Sequence, residues 1–203
     1  MSLSAVLRFL FVWVLALAIA LVSYRFVLGV GTWMEPMLHH WLDRPWAFIA
    51  HVGFAPVALA LVPFQFWSRL RARRPGLHRW LGRTYALAIL IAGLGGIALA
   101  MTTDAGPVAG TGFGLLAVLW LRVTGQAVRL AMAGRIAEHR NWMIRSAALT
   151  MAAITLRLYL PLLAMTLGFD TGYLIVAWAC WVPNALVAEW IVRRGRAPVP
   201  AIA

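Results

Sequence analysis

The chain contains no lysine, a single cysteine and only six acidic residues among 203. Each shortage excludes something. One thiol, Cys180, forbids an intrachain disulfide, so thiols say nothing about the redox compartment. Charged residues make up 12% of the chain, about half the ~25% typical of soluble domains. No Walker loop, dinucleotide fingerprint, HExxH helix or nucleophile elbow is present, so the chemistry of soluble-cofactor enzymes has no foothold. No Gly/Ser linker, low-complexity tract or soluble-sized insertion interrupts the chain, which reads as one domain over residues 1–203. What is abundant is apolar: 63% of residues are from the set AVILMFWYC, before the 17 glycines are added, against roughly 45–50% in soluble proteins. The expected class is an all-α polytopic membrane protein.

Six apolar runs are long enough to cross a ~30 Å hydrocarbon core at 1.5 Å per residue. They extend approximately from Ala5 to Tyr24, Ala47 to Trp67, Thr84 to Met101, Gly112 to Met132, Ala147 to Leu167 and Tyr173 to Ile191. Between the first two, Gly29 to Pro45 has room for a short interfacial turn. Arg8, the apolar stretch and Ala18-Ile19-Ala20 also resemble a signal peptide, but the run is long for an h-region, and a retained anchor is expected.

All 18 basic residues are arginine, giving a net charge of +12. In a soluble protein that excess would point to nucleic acid; here the charges sit in short loops, where they set topology, and no nucleic-acid partner is expected. Fourteen arginines fall on one side: Arg8, six from Arg69 to Arg83, four from Arg129 to Arg145, and three in the tail from Arg193 to Arg196. The opposite loops hold Arg25 and Arg44 with Glu35, Asp43, Asp104 and Asp170. The asymmetry implies a six-helix bundle with both termini cytoplasmic, in the bacterial inner membrane. Reporter fusions after Arg74, Arg135 and Arg196 are expected to give cytoplasmic signals, and those after Asp104 and Asp170 the opposite. A periplasmic signal after Arg135 would overturn the six-span topology.

Five histidines are present: His39, His40, His51, His78 and His139. His78 precedes the third run and His139 the fifth, two spans that run in the same direction, so both imidazoles fall near the cytoplasmic face. Their contexts are alike, His78-Arg79-Trp80 and His139-Arg140-Asn141-Trp142, as a parallel pseudo-repeat would make them. Two imidazoles facing each other between helices can ligate a haem iron axially, and Arg79, Arg83, Arg140 and Arg145 are placed to pair with its propionates. The plain alternative is that both rings lie among lipid headgroups, bonded to carbonyls or water. His51 lies near the outer end of the second run, where it serves a second site or shapes a cavity. His39 and His40 belong to the outer loop; neighbouring imidazoles suit copper or zinc, yet no Cys or His-x-His pattern accompanies them.

Arg122 and Arg157 lie within spans, where an arginine costs about 2.5–3.5 kcal/mol even on the lenient insertion scale. No acid lies at matching depth, so carbonyls, polar side chains such as Gln65, Gln126 or Tyr159, water or an anionic ligand must meet them. Two readings are open: a cavity for an acidic headgroup, propionate or quinone carbonyl, or an arginine capping backbone freed by Pro63 or Pro161. Trp33, Trp41 and Trp46 fit an outer aromatic belt, and Trp67, Trp80 and Trp142 an inner one. Gly93, Gly95 and Gly96 suggest close helix packing.

Three stretches resemble a known family when taken together: HVGFAPVALALVPFQFWSRLRARRPGLHRWLGRTY from His51 to Tyr85, GFGLLAVLW from Gly112 to Trp120, and HRNWMIRSAALTMAAITLRLYLP from His139 to Pro161. They are similar to the bacterial membrane-protein family called domain of unknown function 2306, over about residues 51–161. His51, Gln65, His78, Tyr85, His139, Arg145 and Arg157 lie on its pattern, and Arg122 does not. The resemblance implies a six-to-eight-helix membrane fold and no particular chemistry. A looser likeness, of architecture alone, is to two-haem transmembrane b-type cytochromes; His78 and His139 match one of their histidine pairs, while the fourth span offers no histidine for the other.

Two function classes follow. One is an inner-membrane redox-associated protein binding one b-type haem or a quinone near the cytoplasmic face, through His78, His139 and Arg157, with a membrane redox protein as its partner. The other is a non-catalytic membrane subunit, assembly factor or lipid or small-molecule carrier.

Overall fold

The computed structural model describes residues 3–28 and 38–195, and every regular element among them is helical. The helices are α1 (Leu3–Ser23), α2 (Leu38–Asp43), α3 (Pro45–Phe66), α4 (Ser68–Arg73), α5 (Pro75–Ala100), α6 (Gly106–Met132), α7 (Ile136–Thr150), α8 (Ala152–Leu167), α9 (Phe169–Ala179) and α10 (Val182–Arg194). Five stretches are long and apolar enough to cross a membrane: α3, α5, α6, the α7–α8 rod over Ile136–Leu167 and the α9–α10 rod over Phe169–Arg194. A shorter apolar stretch, Leu10–Phe26, accompanies them. The chain is a polytopic helical membrane bundle. The short turn expected between Gly29 and Pro45 includes α2; residues 29–37, with Trp33 and Glu35, and Arg196 lie outside the described residues.

Two helices begin well before their apolar windows. The third span starts at Pro75 instead of Thr84, and the fifth at Ile136 instead of Ala147. Hydropathy registers only the lipid-compatible part of a helix, whereas the first turns are stabilised by other means. Pro75 occupies the first helical position, where its fixed φ suits the helix and its missing N–H is no loss. Arg135 donates to both carboxylate oxygens of Glu138, at 2.6 and 2.7 Å, across the first turn of α7. His78 and His139 are therefore helical residues, not loop residues, and their side chains have fixed directions.

The connections are short, and α3–α5, α5–α6, α6–α7 and α8–α9 pack as neighbours. Gly134, at φ +71°, makes the turn from α6 into α7 in a conformation that suits glycine. Alternation of direction leaves α5 and the α7–α8 rod parallel, with α6 antiparallel between them. α1 lies against α3 and α8, with Ala16 and Ala20 on Leu59 and Ile154. The central core joins Ala58 and Val62 of α3, Ala88, Ile89 and Ala92 of α5, and Ala127 of α6. Four of these six are alanine, as suits helices that associate through close packing and hydrogen bonds because lipid tails are as apolar as leucine.

Both rods are interrupted. In α9–α10 the break at Cys180 and Trp181 precedes Pro183, which has no N–H to return to the preceding turn. Asn184 bridges the other break, donating to the Ala148 carbonyl at 3.3 Å and the Thr155 hydroxyl at 2.8 Å.

Candidate functional site

The centre of the bundle holds a hydroxyl network among α5, α6 and α7. Thr150 donates to the Ser146 carbonyl at 2.9 Å, so its oxygen accepts from the Trp120 indole at 2.9 Å and from Tyr85 at 2.8 Å. Tyr85, having spent its one proton, accepts from Ser146 at 2.9 Å, and Ser146 accepts from Thr124 at 2.7 Å. One donor per hydroxyl fixes the direction of every bond, and all the members are buried. Of these hydroxyls the sequence singles out only Tyr85. Ser146 lies just outside the apolar window, although His139, Met143, Ser146 and Thr150 follow the 3–4 spacing of one helix face.

This network sets the level of the two histidines. His78 lies seven residues before Tyr85, and His139 seven before Ser146. On parallel helices both imidazoles therefore lie about 10 Å from the Tyr85–Ser146 bond, toward the arginine-rich end. They are close enough to interact electrostatically. His139 Nδ1 is 2.8 Å from the Ala127 carbonyl of α6. A carbonyl only accepts, so in the neutral ring Nδ1 carries the proton and Nε2 presents its lone pair. His78 Nδ1 is buried with no hydrogen-bond partner among the described residues. Gln65, one turn further in, is also buried, and its Nε2 is likewise unpartnered. A side chain at Gly82 would come within 3.3 Å of Gln65 Oε1, so this glycine leaves room for the amide beside the His78 face of α5.

The flanking arginines divide. Arg79, Arg83 and Arg140 are exposed and pair with no acid among the described residues. Arg145, expected as a fourth propionate partner, instead donates twice to Glu189 of α10, at 2.7 and 2.9 Å, and lies over Trp142. A carboxylate within reach at the same depth takes the guanidinium first.

Arg157 belongs to a different place. Counting from His139 at 1.5 Å per residue it is roughly 27 Å along the α7–α8 rod, so it does not join the histidine pair. Its Nη2 donates to Ser23 at 2.7 Å and its Nη1 to the Ala153 carbonyl at 3.0 Å. The carbonyl freed by Pro161 is that of Arg157 itself, so the guanidinium does not cap it. Arg25 and His51 lie within electrostatic range. His51 Nδ1 is 2.9 Å from the Ala92 carbonyl of α5, and Gly96 leaves space for that ring. Arg157→Gln is expected to keep the fold, at a cost of about 1 kcal/mol. Ser23 still bonds the Ile19 carbonyl at 2.6 Å, so no partner is left bare. The measurement is thermal unfolding beside bound-lipid, quinone and haem content. Unchanged stability with unchanged small molecules would remove support for a ligand at Arg157.

Arg122 meets none of the groups expected for it. It is exposed on α6 with no partner among the described residues, while Gln126 accepts from Arg129 at 3.0 Å. At the opposite end, His40 is buried against His39, their rings 3.8 Å apart. Burial, with the neighbouring His39, lowers its pKa from the ordinary value to about 4, so it is neutral at pH 7. Among the described residues no three His, Cys, Asp or Glu side chains gather to hold a metal ion. A bare ion thus has no cage among them, whereas a metal carried in a macrocycle needs only two axial ligands. The His78–His139 pair fits that requirement in number and level, and His139 in its free Nε2.

The family model described as "Predicted membrane protein (DUF2306)" matches residues 48–192, reaching into α10 and beyond the stretch that carries the resemblance in sequence. No curated protein and no solved structure matches the chain.

Proposed function

The chain belongs to the DUF2306 family of predicted membrane proteins, and from that premise we propose that it is an inner-membrane redox protein holding one b-type haem at its arginine-rich, cytoplasmic end. The observation that carries this reading is the common level of His78 and His139 on parallel helices, with His139 Nδ1 engaged by a carbonyl and its Nε2 offered. When bound, the haem supplies reversible one-electron chemistry. The protein's part is to hold and tune it. The Ala127 carbonyl orients the His139 imidazole and raises its basicity, and His78 and His139 would be the residues that hold the haem. Burial of Gln65 among apolar side chains limits water, and Gln65 Nε2 has a hydrogen bond still to give. Arg79, Arg83 and Arg140 would hold the haem propionates through charge-assisted bonds.

Detergent-purified protein from haem-replete cells is expected to have a Soret band and a sharp reduced α-band. Both should vanish in His78→Ala and in His139→Ala and persist in His40→Ala, whose ring belongs to the other end of the bundle. A colourless, well-folded protein would overturn the reading; co-purified quinone in place of haem would replace it.

A further inference from the structure

We propose that the exposed face of α6 docks a transmembrane helix of another protein, one that carries a carboxylate at mid-membrane depth opposite Arg122. Thr111, Leu115, Val118, Arg122, Gly125 and Arg129 are all exposed and succeed each other at the alternating 3–4 spacing of a helix-pairing seam. Facing lipid alone, that seam would leave a guanidinium in hydrocarbon. Arg122 is seven residues, about 10 Å of helix, before Arg129, where the arginine-rich end of α6 begins, so it lies within the apolar span. No group of its own chain compensates it among the described residues. A charge at this depth calls for a counter-charge.

The chain's own acids identify the partner's chemistry. Glu138 is held by Arg135, and Glu189 by Arg145 and Arg193. Asp43 ends α2, Asp104 lies between α5 and α6, and Asp170 is in the first turn of α9, all at the opposite end of the bundle. A second copy of these segments brings no carboxylate to mid-depth, so the counter-ion comes from a different protein. Next to Arg122 along the seam, Gly106, Gly110, Gly114 and Val118 border a groove of about 540 Å³ against Ala100 and Met101 of α5. Small residues along a groove let a second helix approach closely. The charge selects the partner, and the groove seats it.

The test is site-specific photo-cross-linking of the full chain in its native membrane, with the reactive side chain at Leu115 or Val118 and, as control, at Leu90 on the exposed face of α5. The expected result is one protein adduct from the α6 positions and none from Leu90. The captured peptide should be a membrane span with Asp or Glu at the adduct's depth. Arg122→Leu should lower adduct yield at least tenfold and Arg122→Lys should retain most of it. The thermal midpoint of purified Arg122→Leu should match the parent, because Arg122 has no partner among the described residues. Adducts to lipid alone, to a second copy, or to a span without an acid would overturn the proposal, as would a yield indifferent to Arg122→Leu. None of these readouts depends on haem.

Discussion

Gly95→Ala is expected to lower the thermal midpoint of the detergent-purified chain by on the order of 10 °C. A Cβ at Gly95 would stand 2.7 Å from the Ala47 carbonyl oxygen, 2.9 Å from the His51 backbone nitrogen and 3.0 Å from Ala50 Cβ. Two of those three neighbours are main chain of α3, which cannot rotate away as a side chain would. The helices must move apart along their whole contact. Overpacking of this kind costs about 1–3 kcal/mol, and a rigid backbone neighbour puts Gly95 at the upper end; for a chain of this size each kcal/mol is about 2–4 °C. Separation also draws His51 away from the Ala92 carbonyl, 2.9 Å distant in the parent. Gly53→Ala on α3 is the control. Nothing lies within 4 Å of the point where its methyl group would stand, and alanine in a helix interior gains about 0.5–1 kcal/mol over glycine. If the two variants melt together, the close α3–α5 approach does not carry the stability ascribed to it.

The spans were legible because a bilayer leaves few options: runs of this length with arginine on one side must be helices of one orientation. Which face each helix turns inward was not legible. Lipid-facing and core-facing surfaces are equally apolar, so a membrane helix has little amphipathic signal. Arg122 and Arg157 illustrate the consequence. Both are arginines inside apolar runs, and hydropathy treats them alike. On α6 the buried stripe around Arg122 runs through Ala117, Trp120, Val123, Thr124 and Ala127, and Arg122 falls outside it. Arg157 meets Ser23, a contact 134 residues away in sequence that no local pattern encodes. The Arg145–Glu189 pair was hidden for the same reason. The similar placement of His78 and His139 on parallel helices was visible in outline through the repeated His-Arg context. Its register became evident only through Tyr85 and Ser146, because a hydroxyl inside a span looks like any other tolerated polar residue until its partner is known.

That register makes Tyr85 the side chain whose truncation should cost the bundle most. Tyr85→Ala removes a ring that is 1% exposed at the centre of the core, and large aromatic-to-alanine changes in a core cost about 3–5 kcal/mol. It also strips Ser146 of its acceptor and Thr150 of one donor. Tyr85→Phe separates the two contributions. The ring still fills the space, Thr150 still accepts from Trp120 and Ser146 still accepts from Thr124, so the expected loss is about 2 kcal/mol, the two hydrogen bonds to Ser146 and Thr150 at about 1 kcal/mol each. Thermal unfolding of both variants checks the ratio, with Tyr85→Ala destabilised at least twofold more than Tyr85→Phe. The functional consequence follows from position. Tyr85 spans the gap between α5 and α7, two turns from His78 and His139, and its bond to Ser146 holds the two imidazoles at one level. In the haem-bound form proposed above, Tyr85→Phe, which keeps the ring but gives up the Ser146 bond, should keep only part of the Soret band, whereas Tyr85→Ala, with neither ring nor bond between the helices, should lose it even in the fraction that remains folded. Equal melting of the two variants would mean that packing around Tyr85 is not what joins α5 to α7.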